Sequence, residues 1–143
     1  MNGGEIWNLM PSDFQSKVKP VKKFTNNVSG TDKNAAVKAT TDKLFLLSYS
    51  EIVENPLNSW SNYIWIDQEG SQYEGYKGKV ANNDSDNACL RNGYFWWERS
   101  VCLVTNAGSA RENFLCVSNE GDPSSYYYGS ATYSRCVCPA FCF

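Results

Sequence analysis

Histidine is absent from all 143 residues. That removes the commonest general base and closes off Ser/His and Cys/His nucleophilic pairs within the chain. Long apolar runs are missing too: stretches such as residues 44–47 fall far short of the roughly 20 residues a membrane-spanning helix needs. The opening residues, MNGGEIWNLM, lack the charged and apolar regions of a signal peptide, so the chain reads as soluble with no direct membrane insertion. Basic charge is scarce where it would matter for nucleic acid. The net charge is -2, the pI is near 5.1, and all nine Lys precede residue 80, which excludes a phosphate-binding stripe. No CxxC pair is present for zinc, although there are six cysteines (Cys89, Cys102, Cys116, Cys136, Cys138, Cys142). Their spacing and the missing export signal predict mostly reduced, structural thiols.

A more local shortage is the most informative. Residues 100–143 contain no Lys, Gln, Met or Trp and only two Glu, Glu112 and Glu120, whereas residues 1–99 hold twenty-five residues of these five types. Ser, Tyr, Asn, Gly, Thr, Cys, Arg and Asp fill the tail instead. This is close to the vocabulary of a recognition loop, in which rigid amphipathic Tyr sits among small adaptable polar groups.

The length suits one domain, residues 1–143, large enough to bury about two-thirds of the surface of its unfolded form. Ser12 with Gln15 predicts a capped short helix stopped by Pro20, and residues 21–24 a strand or extended arm. Residues 25–41 read as a loop or loose hairpin. Residues 44–47 predict a buried strand leading into a second helix, with Ser48 and Glu51 as a capping box and Leu47 and Ile52 as a staple. Pro56 ends that helix. Trp60, Tyr63 and Trp65 read as core, and residues 68–87 as a long surface loop. From residue 94 onward, runs at 94–97, 101–105, 114–118 and 137–143 predict strands. One or two short helices packed on an antiparallel sheet make the class α+β.

The motifs then look familiar. The helix opening Met10-Pro11-Ser12-Asp13, the block Thr41-Asp42-Lys43-Leu44-Phe45-Leu46-Leu47-Ser48 with Glu51, Trp96-Trp97-Glu98-Arg99-Ser100 and Val137-Cys138-Pro139-Ala140-Phe141 resemble a bacterial and phage domain family carrying WWLRS and VRPAF motifs. Glu98 stands where that pattern has Leu, and Cys138 where it has Arg. The family resembles the C-type-lectin fold and includes variable proteins of diversity-generating retroelements, in which adenines of AAC or AAT codons are randomised. Such codons cannot become Lys, Glu, Gln, Met or Trp, the types scarce in the tail. The resemblance therefore implies residues 1–43 as an N-terminal helix and arm, and residues 100–143 as a variable region.

Together these readings predict a ligand-binding domain, receptor- or adhesin-like, and not an enzyme. The expected contact residues are Asn106, Ser109, Arg111, Asn113, Ser118, Asn119, Asp122, Ser124, Ser125, Tyr126, Tyr127, Tyr128, Ser130, Thr132, Tyr133 and Arg135. The expected partner is a protein or glycan on another cell surface, met from a phage virion or bacterial surface as part of a longer or oligomeric assembly. No nucleic acid, cofactor or metal is expected: Asp84 and Asp86 start like a calcium loop, but Ala88, Cys89 and Leu90 break the pattern. Trp96, Trp97, Arg99, Pro139, Phe141 and Phe143 are assigned to the scaffold, with the two Trp facing opposite sides of a strand and Arg99 bound to a carboxylate or carbonyls. The alternatives are a structural subunit of a phage tail or cell-surface fibre, and a thiol-dependent enzyme.

Overall fold

The computed structural model describes residues 4–26, 37–54, 68–80, 87–101, 113–123 and 128–143. Two short helices come first, α1 (Glu5–Asn8) and α2 (Ser12–Lys17). The capping box expected at Ser12 does not form. Pro11 is the N-cap, Ser12 is the first helical residue, and no side chain caps the turn. Gln15 reaches back to α1 instead, its Nε2 donating to the carbonyls of Trp7 at 3.0 Å and Met10 at 2.8 Å. The Trp7 carbonyl also accepts the Met10 N–H at 3.1 Å, so Gln15 adds a second donor there and ties α2 to the end of α1.

Residues 21–24 belong to a true strand. β1 (Val21–Asn26) pairs with β2 (Val37–Asp42) as an antiparallel hairpin, Val21 opposite Asp42 and Phe24 opposite Ala39. Residues 44–47, expected as a strand, join no sheet. Only Phe45 bridges, exchanging backbone bonds with Ala140 at 3.1 and 2.7 Å. Ser48 then caps α3 (Tyr49–Ile52) through the expected box, Glu51 Oε2 accepting the Ser48 N–H at 3.0 Å. Leu47 and Ile52, before and after the cap, both lie in the core cluster, as a hydrophobic staple requires. Trp60, Tyr63 and Trp65 lie outside the described residues.

Residues 68–80 are not a plain surface loop. They close over the C-terminal end of α3: Tyr73 N–H donates to Glu51 O at 3.0 Å, and Gln72 Nε2 to Ile52 O at 3.0 Å and Val80 O at 2.8 Å. Glu69 and Val80 are buried as a result. Most of the segment stays at the surface as expected, but Gln72 and Tyr73 are drawn partly inside because helix-end carbonyls need donors, a need that hydropathy does not register.

The second sheet is antiparallel in the order β3 (Trp96–Val101), β4 (Asn113–Val117), β5 (Tyr128–Ser130). Trp96 pairs with Val117 and Trp97 with Cys116, but Val101 pairs with Phe114, so β3 spends two extra residues between those pairs. This irregularity explains how Glu98, Arg99 and Ser100 are all buried in succession, which a flat strand with one solvent face forbids. Residues 137–143 form no strand. The C-terminal segment runs through three separate bridges, Cys136 to Trp96, Ala140 to Phe45 and Cys142 to Lys19. Phe141 and Phe143 pack edge-on against Phe14, with centroids 4.7 and 5.7 Å away.

The core gathers Phe45, Leu47, Tyr49, Ile52, Val53, Val80, Leu90, Trp96, Leu115 and Val117. Each large apolar side chain buried there contributes about 1.5–3 kcal/mol. Three short α-helices among the described residues, with a 3-10 turn at Glu74–Tyr76 and two antiparallel sheets, place the protein in the α+β class. None of the described helices is long and apolar enough to cross a membrane.

Candidate functional site

Beneath the second sheet lies a knot of buried charge. Arg99 Nη1 donates to Glu51 Oε2 at 2.5 Å and to Leu46 O at 2.7 Å, Nη2 to Glu69 O at 2.8 Å, and Nε to Phe24 O at 3.2 Å. Lys23 Nζ donates to the other Glu51 oxygen at 2.7 Å and to the Tyr73 hydroxyl, and lies 3.9 Å from the Phe45 ring centroid. Burial would raise the Glu51 pKa, but the hydrogen bonds and charge of Arg99, the Lys23 bond and the Ser48 N–H together hold it below 4.5. Ser100 Oγ receives the Tyr49 N–H at 2.9 Å and donates to Glu69 Oε2 at 2.5 Å. Arg99 thus has the structural role read from the sequence. Its donors are spent on the protein itself, which leaves little for a substrate.

One member of this region is unsatisfied. Glu98 is 1% exposed and neither carboxylate oxygen has a hydrogen-bond partner. Burial first, then the like charge of Glu69, pushes its pKa well above 4.5, against a smaller opposing pull from Arg99.

The opposite face of the sheet is different. Cys136 bridges Trp96 in parallel, with Trp97 N–H donating to Cys136 O at 3.1 Å and Cys136 N–H to Phe95 O at 3.0 Å. Side chains alternate along extended backbone, so Cys136 shares the core-facing side with Trp96, and Arg135 falls on the side of Phe95 and Trp97. Its guanidinium carbon lies 4.6 Å from the Phe95 centroid and 5.2 Å from that of Trp97. Trp97 in turn meets Phe114 edge-on at 6.5 Å. Gly129, opposite Phe114 in β5, completes the seat: a Cβ there would lie 3.0 Å from Arg135 Nε and 3.1 Å from the Trp97 ring. Tyr94, Phe95, Thr132, Tyr133, Ser134, Arg135 and Cys136 line an open cleft of about 790 Å³. That is within the roughly 300–1,000 Å³ typical of ligand pockets. Tyr94 and Tyr133 are 67% and 60% exposed.

Of the contact residues expected from sequence, Thr132, Tyr133 and Arg135 meet in this cleft. Asn113, Ser118 and Asp122 are buried. Ser118 Oγ accepts the N–H groups of Glu120 at 3.3 Å and Asp122 at 3.1 Å, so it organises a turn. Asn119 is half-buried and bonds Glu120, and the Ser130 hydroxyl lies 2.9 Å from that of Thr132. Tyr128 pairs with Leu115 in β5. Asn106, Ser109, Arg111, Ser124, Ser125, Tyr126 and Tyr127 lie outside the described residues, as do Asp84 and Asp86. Sequence reasoning did not include Tyr94 and Phe95 in the site. Their signal was the alternation of Phe95, Trp96 and Trp97, which becomes readable only once Cys136 is placed beside Trp96.

A second cavity of about 400 Å³ is lined in part by Tyr76, Cys89, Asn92, Trp96 and Cys138. Burial raises the Cys138 pKa despite the bond from Asn92 Nδ2 to its sulfur at 3.4 Å, and burial followed by the two nearby thiols raises that of Tyr76. Cys89, Cys136, Cys138 and Cys142 are free thiols, and Cys116 is buried. No three His, Cys, Asp or Glu side chains among the described residues are placed to hold a metal ion.

These features define a small α+β domain with an open, aromatic-walled cleft on one sheet face and a closed polar knot on the other. The chain belongs to a family described as a domain of unknown function, DUF6273, whose model matches residues 1–143. Comparison with curated proteins and with solved structures gave no match.

Proposed function

We propose that this protein is a ligand-binding domain whose contact face is the cleft around Tyr94, Tyr133 and Arg135, and that it is the variable protein of a diversity-generating retroelement on a C-type-lectin-like scaffold. The observation that carries the reading is where the cleft falls. Five of its seven lining residues, Thr132 to Cys136, belong to the tail from which Lys, Gln, Met and Trp are absent. A concave surface built from exposed Tyr, hydroxyl groups and an arginine has the composition of binding hot spots. The rest of the protein supports it as a rigid platform: Trp97, Phe114 and Gly129 fix Arg135 from below, and the polar knot fixes β3. The partner is a macromolecule on another cell surface, since the open cleft offers a face and not an enclosed chamber.

Sequencing this locus from a mixed population tests the proposal. Substitutions should concentrate after residue 100, at Thr132, Tyr133, Arg135 and the flanking tail positions, and draw only on residue types that NNC and NNT codons encode. Asn113, Ser118 and Asp122 should stay fixed because they are buried. Lys or Gln occurring freely between 106 and 135, or changes spread evenly along the chain, would remove the retroelement reading.

A further inference from the structure

The chain satisfies its other described arginines with its own carboxylates. Arg99 pairs with Glu51 at 2.5 Å, and Arg91 lies 3.8 Å from Glu120. Arg135 has no such partner among the described residues, and its Nε is buried with no acceptor at all. What holds it is aromatic: Phe95 and Trp97 rings at 4.6 and 5.2 Å, with Gly129 leaving room beside them. The residue is half-buried and lines the cleft, with Gly129 beside its Nε and Nη2.

We propose that Arg135 is the anchor for a carboxylate, and that the ligand of this variant is an acidic segment of a partner protein. The inference rests on the cleft being the contact face and adds what that face selects. A guanidinium seated over rings keeps the planar N–H fork that matches a carboxylate bidentately. Stacking has already removed most of its rotamer freedom, so little further ordering is needed on binding. A cleft of about 790 Å³ is far larger than one carboxylate. The acid therefore arrives attached to a chain that also covers Tyr94 and Tyr133, whose exposed rings and hydroxyls flank the anchor.

A displayed random heptapeptide library selected on the full chain tests this. Binders should be enriched in Asp or Glu at one position, and replacing that residue by Asn or Gln in a synthetic peptide should weaken binding at least tenfold. Arg135→Gln should do the same, with Arg135→Lys between the two, because charge remains while the fork is lost. The peptide substitution leaves the protein untouched, so it decides the matter even if Arg135→Gln folds poorly. Binders lost on Tyr133→Ser but showing no acidic preference would overturn the carboxylate anchor while leaving the contact face intact. Binders indifferent to both Tyr133→Ser and Tyr94→Ser, or no binders at all, would overturn the contact face and the anchor together. Free acetate competing as well as the acidic peptide at equal concentration would overturn the protein segment in favour of a small acid.

Discussion

Replacing Glu98 by Leu should stabilise this protein, and by more as the pH rises. The carboxyl is fully buried in β3 and has no hydrogen-bond partner on either oxygen. Even protonated, an orphaned polar group of this kind costs about 1–3 kcal/mol. Below pH 4.5 the folded and unfolded chains both keep the proton, so the titration adds nothing. Above it the unfolded chain releases the proton while the folded chain holds it, because burial and Glu69 raise the folded value. The folded state therefore loses about 1.4 kcal/mol for each pH unit between the two values, and the loss levels off above the folded one. Glu98→Leu removes both penalties and adds apolar burial, for a gain of about 2–4 kcal/mol near pH 5 that grows towards pH 8. Glu98→Gln isolates the titration: it should flatten the pH dependence with little gain at pH 5. Urea unfolding at pH 5 and pH 8 reads both variants directly. Equal gains for Glu98→Leu at the two pH values, or a larger gain at pH 5, would refute the reasoning.

Glu51 should behave in the opposite sense. Its contribution is complete above pH 4.5 and lost as the pH falls through its depressed folded value, and Glu51→Gln should cost about 3–5 kcal/mol by leaving Arg99 and Lys23 buried without their anion. Gly121→Ala should cost at least about 2 kcal/mol in melting experiments, since φ is +86° and a Cβ would stand 2.4 Å from the Asn87 carbonyl oxygen. Trp96→Ala should lose about 3–5 kcal/mol, whereas Tyr133→Ser should stay within about 0.5 kcal/mol, separating the core from the proposed contact face in one thermal series. In time-resolved alkylation of native protein, exposed Cys89 should label first, Cys138 more slowly because burial keeps it protonated, and buried Cys116 last.

What could be read from sequence was what depends on neighbours in the chain. Ser48, Glu51, Leu47 and Ile52 form their cap and staple because every partner lies within one turn. Alternation puts Trp96 and Trp97 on opposite sides of the strand without saying which is buried, the structure burying Trp96, and a hydrogen-bonded structural role for Arg99 was also accessible. Apart from the Ser12 box, where Pro11 takes the cap and Gln15 turns back to α1, the failures involve distant partners. Residues 44–47 look like a strand by composition, yet their neighbour is the single bridge from Ala140. Residues 68–80 look solvated, yet Gln72 and Glu69 are drawn inside by α3 and Arg99. The cleft was half legible: composition pointed to Thr132, Tyr133 and Arg135, while Tyr94 and Phe95 enter it only through the pairing of Cys136 with Trp96.

The polar knot has a consequence for inheritance. Every charged side chain in it, Lys23, Glu51, Glu69 and Arg99, is encoded before residue 100, and Ser100 is the last residue to donate into it. The folding instructions that are hardest to replace, a buried cation and the anion it cannot do without, are thereby written in one stretch of gene. Exposed side chains can be exchanged downstream without orphaning a member of this buried knot, so on the proposed reading a change of contact surface need not become a change in whether the protein folds.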